Sequence, residues 1–412
     1  MTASVSRTID AIWKIEAAKI IGGLARLVRD VGIAEDLAQD ALIAALEQWP
    51  AKGIPPNPAA WLSATARNKA VDRIRRDVNF RRKLEALGHE LDEATPATEP
   101  PEVIQDDVLR LIFTACHPVL SHEAQIALTL RIVCGLTTEE IARAQIVAET
   151  TVQQRIVRAK KKLSDAGVKF SDIAPEELEA RLGAALQVIY LIYNEGYSAS
   201  SGTAYLRLSL CEEALRLGRM LVALVKDDGE AWALLALMEL QASRARARTD
   251  AHGTPVSLPD QNRGLWDRSQ ITRGLKALER SKDLGGPAGT YYVQAAIAAC
   301  HARAVTATDT DWPQISALYS LLAEMTGSPV VKVNHAVAAG MAYGPAAGLQ
   351  VLAPLWNEPA LKDYHPLWAA QGELLFRAGR RGEAKVAFEA AAAMTKNAPE
   401  QRALRARAEG CE

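Results

Sequence analysis

The chain has 412 residues, 49% of them apolar and 24% charged, with 26 Gly and 19 Pro. This composition excludes a wholly disordered, collagenous or low-complexity protein, and the length accommodates about two to four compact domains. The net charge of −1 excludes a uniformly cationic nucleic-acid binder, so any nucleic-acid site has to be a local basic patch balanced by acid elsewhere.

Cysteines at 116, 134, 211, 300 and 411 are odd in number and far apart, without C-x-x-C or a His at ligand spacing. They read as buried thiols in a reducing cytosol, with no disulfide framework, no metal site and no cofactor expected. The first 19 residues hold Asp10 and Glu16 and lack an apolar signal region, and no uninterrupted apolar run of about 18 residues occurs. The expectation is a soluble cytoplasmic protein that does not enter membranes.

Apolar residues recur at helical spacing almost throughout, with Ala and Leu dominant and alternating β-branched runs nearly absent, which predicts an all-α fold. The first block, residues 5–83, contains two informative helices. Over 34–49, Leu37, Ala41, Ala44 and Ala45 face inward, leaving Glu35, Asp36, Gln39 and Asp40 as an acidic exposed edge. Such an edge is ordinarily only solvated; beside a DNA-reading element it could dock a basic protein partner. Over 61–76, Leu62, Ala66, Ala70 and Ile74 repeat every four positions, which puts Arg67, Asn68, Arg75 and Arg76 on other faces. These supply phosphate contacts and an amide able to read an unstacked base, while Trp61 reads as a core anchor in preference to a stacking platform.

Charge then reverses. Arg67 to Lys83 carries eight Lys/Arg, whereas Leu84 to Asp107 carries eight acids, no Lys or Arg, and Pro96, Pro100 and Pro101. Residues 84–107 therefore read as an extended acidic linker.

Residues 108–168 form the next helical block. Thr137 or Thr138 can cap a short helix with Glu139 and Glu140 in its first turn, and a brief turn leads to a second helix from Glu149, which is helix-turn-helix spacing. On the second helix Val152, Ile156, Ala159 and Leu163 form the buried stripe; Thr151, Arg155, Arg158 and Lys162 line another face. Gln153, Gln154 and Arg155 are long forked donors suited to base edges in a major groove.

Residues 173–412 form a long Ala/Leu-rich helical region with weak self-similarity. Gly344 and Gly382 open helices 38 positions apart, and Trp368, Gly372, Leu375, Gly379, Ala384, Phe388 and Pro399 are spaced as in a tetratricopeptide hairpin, whose repeat is about 34 residues. Stacked helical pairs are expected, an irregular helical bundle being the alternative. Asn194, Glu195, Gly196 and Tyr197 follow an apolar helix and read as a helix-ending turn, an interdomain contact or a ligand site. Trp266 to Arg268 read as packing or as the lining of a groove.

The helices at 34–49 and 61–76, the acidic linker and the helix-turn-helix at 137–163 resemble, in order and spacing, the extracytoplasmic-function sigma factors of bacterial RNA polymerase. The resemblance covers residues 9–165. It implies a first block like sigma domain two, with Glu35, Asp36, Gln39 and Asp40 on the helix that grips the β′ coiled coil. Arg67, Asn68, Arg73, Arg75 and Arg76 would lie on the helix that melts and captures the minus-ten element, and the loop from Trp49 to Pro58 where a flipped base is received. The second block would be sigma domain four, seated on the β flap and reading the minus-thirty-five element with Glu149, Thr150, Thr151, Gln153, Gln154, Arg155, Arg158 and Lys162. Departures from the family pattern are Ile146 in place of a turn Gly and Ala148 in place of a Ser-type cap.

Leu186 to Ser200, Asn262 to Arg268 and Ala295 to Ala302 extend the likeness to the subgroup with a long tetratricopeptide-like C-terminal extension. That resemblance implies regulation by the extension and, as a possible partner, a small YCII-related protein of the DGPF-motif type. A different reading of the same residues is a free-standing operator-binding regulator whose repeats sense a ligand or protein. An enzyme finds no supporting constellation: His117 and His122 are isolated, and no nucleophile triad or phosphate loop occurs.

Overall fold

The computed structural model describes residues 2–85, 106–145, 147–170, 175–197, 206, 208–285, 289–395 and 397–411. Among them are eighteen α-helices and no strand; the β-type pairing is a lone bridge between Thr249 and Pro255. The all-α expectation holds. The chain divides into two compact units, Met1–Ile189 and Tyr190–Glu412.

The first unit opens with α1 (Thr2–Val28), α2 (Val31–Lys52) and α3 (Pro58–Glu85). Arg29 takes a left-handed φ of 59° between α1 and α2, and Asp30 then caps α2 by accepting from the Ile33 amide at 2.8 Å. Asn57 starts α3 in the same way, accepting from Ala60 N at 3.0 Å. Trp13, Ile21 and Leu24 of α1, Leu37, Ala41 and Trp49 of α2, and Leu62, Ala66 and Ala70 of α3 make the shared core. Small residues at every fourth position let the helix axes approach, and Trp49 fills the end of the core edge-on to Trp61 at 5.4 Å.

The same unit continues with α4 (Asp107–Ala115), α5 (His122–Ile132), α6 (Thr138–Gln145) and α7 (Glu149–Asp165). Asp106 caps α4 through Leu109 N at 2.8 Å. The ends of the expected 84–107 linker are thus helical, Leu84 and Glu85 closing α3 and Asp107 opening α4; its interior lies outside the described residues. The first half of α8 (Pro175–Tyr197) is tied to α4 by Arg181, which is 2% exposed and donates to the Phe113 carbonyl at 3.3 Å and to Glu177 at 2.5 Å.

The second unit runs from the end of α8 through α9 (Leu208–Leu224), α10 (Gly229–Ala242), α11 (Arg268–Asp283), α12 (Thr290–Arg303), α13 (Trp312–Thr326), α14 (Pro329–Tyr343), α15 (Pro345–Leu352), α16 (His365–Arg377), α17 (Arg381–Met394) and α18 (Ala398–Glu409). Its cores follow one another along the chain, one around Leu240 and Trp266, the next around Ile297 and Ile315, then Leu352 and Leu374, then Phe388 and Leu404. Each core is shared by sequence neighbours, as in a stack of helical pairs.

The tetratricopeptide-like spacing has a direct steric meaning. A Cβ on Gly372 would lie 2.8 Å from the Phe388 ring, so α16 and α17 meet only with Gly there. At Gly348 an added Cβ would stand 2.7 Å from the Ala336 carbonyl, which ties α15 against α14. Glu239, buried in α10, accepts from Arg219 of α9 at 2.6 Å and from Arg273 of α11 at 3.2 Å, stapling three helices. Trp266 is buried, so packing is the role its position supports, and Asp267 caps α11.

His301 sits edge-on to Trp312 at 5.3 Å. Burial, with Arg244 and Arg263 nearby, pulls its pKa down to about 3. The folded unit therefore holds it neutral, while the unfolded chain binds a proton below its ordinary value of 6.5. Its contribution leaves stability unchanged above that value and erodes it from there down to about 3, by at most ~1.4 kcal/mol per pH unit. Thermal melts at pH 7.5 and pH 5 should show a smaller acid-induced drop for His301→Gln than for the parent chain; equal drops contradict this account.

Candidate nucleic-acid interface

The α6 and α7 pair has the expected helix-turn-helix arrangement. Thr137 caps α6 reciprocally: Glu140 N donates to Thr137 Oγ1 at 3.1 Å and Thr137 N donates to Glu140 Oε2 at 2.9 Å. α7 starts after Ala148, which offers no side-chain cap, and Glu149 ties the two helices together by accepting from Thr138 Oγ1 at 2.7 Å and from Gln153 Nε2 at 3.2 Å. Val152, Ile156, Ala159 and Leu163 are buried, as their spacing predicts. Glu149, Thr150, Gln153, Gln154, Arg158 and Lys162 are exposed, while Thr151 and Arg155 are half-buried. Ile146, the departure in the turn, lies outside the described residues.

On α3 the inward stripe is again as the spacing predicts, and Arg67, Asn68, Arg73, Arg75 and Arg76 are all exposed. Arg76 Nε donates to the Asp72 carbonyl at 3.2 Å, which orients that guanidinium along the helix. The preceding loop is shorter than the 49–58 expectation. Trp49 and Pro50 belong to the last turns of α2, whose end is marked by Gly53 at φ 85°, its amide donating to the Trp49 carbonyl at 2.9 Å. Beside Arg67, a groove of about 430 Å³ between α1 and α3 is lined by Lys19, Arg26 and Ser63 together with Leu24 and Leu27. Lys19 and Arg26 extend the basic face of α3; no single-helix pattern brings them to Arg67, because they come from a helix some 40 positions upstream.

The acidic edge of α2 departs from its expected exposed form at Gln39 and, most of all, at Glu35. Asp36 and Asp40 are exposed and Gln39 is half-buried, but Glu35 is only 5% exposed at its side chain. Glu35 accepts from Arg131 of α5 at 3.3 Å and is ion-paired to Lys160 of α7; Lys160 also donates to Asp36 at 2.8 Å. Arg131 in turn donates to the Leu136 carbonyl at 3.1 Å. Glu35 is buried because two cations from distant segments neutralise it, where the pattern of α2 alone placed it among solvated acids. Asp40 lies 3.7 Å from Lys69 of α3.

Asn194, Glu195, Gly196 and Tyr197 are not a turn. α8 continues through Tyr197, and Gly196 is needed because a Cβ there would lie 2.7 Å from the Cys211 amide of α9. Tyr197 stacks on Tyr193 at 5.4 Å, its hydroxyl accepts from Arg244 at 2.7 Å, and Arg248 lies over its ring at 3.5 Å. This cluster belongs to the second unit. Among the described residues no group of three or more His, Cys, Asp and Glu is placed to hold a metal, and no helix is long and apolar enough to cross a membrane.

Comparison with known proteins separates the chain into matching segments. Residues 16–79 match sigma-70 region 2 and residues 110–163 match sigma-70, region 4. Residues 181–282 match a family of unknown function, DUF6596. "Uncharacterized protein R00370" of Rhizobium meliloti is 41% identical over 391 residues, covering 93% of this chain and 91% of that protein. "ECF RNA polymerase sigma factor SigL" of Mycobacterium tuberculosis is 29% identical over 155 residues, 37% of this chain and 85% of its own length. "Probable ECF RNA polymerase sigma factor SigI" of the same species is 25% identical over 166 residues, 40% of this chain and 57% of that protein. No solved structure matches the chain.

Removing the Glu35 carboxylate leaves Arg131 only the Leu136 carbonyl and Lys160 only the exposed Asp36, with side chains that are themselves only 22% and 20% exposed. Urea unfolding should show Glu35→Ala destabilised by about 1–3 kcal/mol, the cost of leaving charged groups without their partner. A loss below about 0.5 kcal/mol, the range of ordinary surface substitutions, would contradict that.

Proposed function

The chain belongs to the extracytoplasmic-function sigma factors of bacterial RNA polymerase, with a long helical C-terminal extension, and acts in transcription initiation; on that premise we propose which residues perform each step. Residues 108–168 read the minus-thirty-five element through Glu149, Thr150, Thr151, Gln153, Gln154, Arg155, Arg158 and Lys162. What carries this reading is the separation of faces on α7: the apolar stripe is buried while the amides, Arg158 and Lys162 are free of the core. Forked donors on one exposed face of a capped helix-turn-helix are what base-edge readout requires.

In the proposed division of labour, residues 5–83 engage the minus-ten element. Arg67, Arg73, Arg75 and Arg76 bind phosphates of the opening strand, and Asn68 reads an unstacked base. The loop at Gly53–Asn57 receives a flipped base. Asp36, Gln39 and Asp40 bind the basic β′ coiled coil, with Glu35 behind them, and residues 108–168 also seat on the β flap. The acidic segment between the two readers tethers them, so that two modest DNA sites act together through effective concentration. The extension, residues 173–412, regulates initiation through its stacked helical pairs, with a small YCII-related protein as its candidate partner.

The competing operator-binding reading requires duplex recognition without core polymerase. Asp36→Ala and Gln39→Ala should each weaken binding to purified core RNA polymerase about tenfold or more while leaving duplex binding by α7 intact. Gln153→Ala and Arg158→Ala should do the reverse, costing about 1–3 kcal/mol in binding of minus-thirty-five duplex. Unchanged core binding by Asp36→Ala and Gln39→Ala would overturn the sigma assignment of α2.

A further inference from the structure

Besides Arg131 with Glu35, charge pairs at three places join residues 1–85 to residues 106–165, each with one member from either side. Lys160 meets Glu35 and Asp36, Lys14 of α1 meets Glu140 of α6 at 2.6 Å, and Arg26 of α1 meets Asp107 of α4 at 2.8 Å. The backbones come together at glycines. A Cβ on Gly135, where φ is 61°, would lie 3.3 Å from the Lys14 Cα, and one on Gly22 would lie 3.0 Å from the Asp107 Cβ. The third site is Gly32, whose added Cβ would lie 3.5 Å from the Cβ of Lys160. Charge and close backbone approach therefore coincide at three places along one seam.

At one of those places the seam uses the acids assigned to polymerase. We propose that the Lys160 clasp is an autoinhibitory contact: the Glu35–Asp36 end of α2 is held either by Lys160 of the recognition helix or by cations of the core enzyme, so that docking on core requires α7 to leave α2. This inference rests on the reading of the α2 edge as the core-binding face.

The exchange follows from charge. Glu35 already has two cations, and an incoming basic helix meets the Lys160 ammonium as a like charge. Asp36 keeps 68% of its side chain exposed although it is paired, so the first partner cation lands there. Separation carries Arg131 of α5 away together with Lys160, so the partner's cations then have to satisfy both Glu35 and Asp36. Ion pairs to the partner replace those of Glu35 and Asp36, and core binding also has to offset the loss of Lys14–Glu140 and Arg26–Asp107. Gln153, Gln154, Arg158 and Lys162 stay exposed with the clasp closed, so the closed state occupies the Glu35–Asp36 end of the polymerase face and leaves the proposed duplex-reading face open. The 20 residues from 86 to 105 permit a separation of up to about 70 Å once the clasp opens, if fully extended.

The 3.5 Å spacing at Gly32 and Lys160 falls at the short end of the range for a disulfide, about 3.5–4.5 Å between Cβ atoms. The full-length double variant Gly32→Cys/Lys160→Cys therefore locks the clasp on oxidation. The five native cysteines are all buried, and burial pushes the thiols of Cys116 and Cys211 up to about 12, which keeps them out of the reaction. Oxidised protein should bind purified core polymerase at least about tenfold more weakly than the same protein reduced, because its competent fraction is removed. Failure of the disulfide to form, or core binding by the oxidised protein within about twofold of the reduced, overturns the clasp.

A second variant needs no cross-link. Lys160→Ala, which keeps both acids, should bind core several-fold more tightly than the parent chain, and equal binding overturns the proposal. Asp36→Ala separates the two levels of inference. If it weakens core binding while the locked protein binds normally, the clasp alone falls; if it leaves core binding unchanged, the assignment of the α2 edge falls and the clasp with it.

Discussion

A charged carboxylate is costly to bury unless it is paired or hydrogen-bonded, and in the first unit Glu35 meets that requirement with two cations. Its partners, Arg131 and Lys160, stand on α5 and α7, so satisfying one acid on α2 brings together the helix assigned to polymerase and the helix assigned to DNA. α7 has its own apolar reason to pack on α5 and α6, and this sets its exposed face independently of Glu35. The result is a unit in which the side chains proposed to read duplex are exposed while the Glu35–Asp36 end of α2 is already paired.

The second unit solves a similar problem with different means. Glu239 is buried between Arg219 and Arg273, but there the pairing joins neighbouring helices of one stack. That unit also rests on small-to-large contacts along the chain, as where Gly372 admits Phe388. Such a stack offers long surfaces built from sequence neighbours, which suits a part whose proposed task is regulation and not promoter reading.

What could be read from the sequence was whatever depends on local period. The stripes Leu62, Ala66, Ala70 on α3 and Val152, Ile156, Ala159, Leu163 on α7 lie where four-residue spacing puts them, and the basic side chains beside them are consequently exposed. Thr137 caps its helix because a Thr three positions before a Glu can do so in any context. Glu35 was not legible, since its cations stand 96 and 125 positions away and no pattern within α2 distinguishes it from Asp36. The end of α8 was misplaced for a related reason. Gly196 looks like a helix stop, yet its lack of a side chain serves close approach to Cys211, a tertiary fact. Likewise Pro50 suggests a loop but sits in the closing turns of α2.

The central claim is that this chain directs polymerase to promoters, using α2 to hold the enzyme and α3 and α7 to hold DNA. Run-off transcription with purified core RNA polymerase on the genomic fragments of the source organism, with and without the full-length chain, tests it most directly. The account predicts discrete transcripts that require both core and chain, together with co-elution of the two proteins. Duplex binding by the chain alone, with no transcript and no co-elution, would contradict it and establish an operator-binding regulator instead.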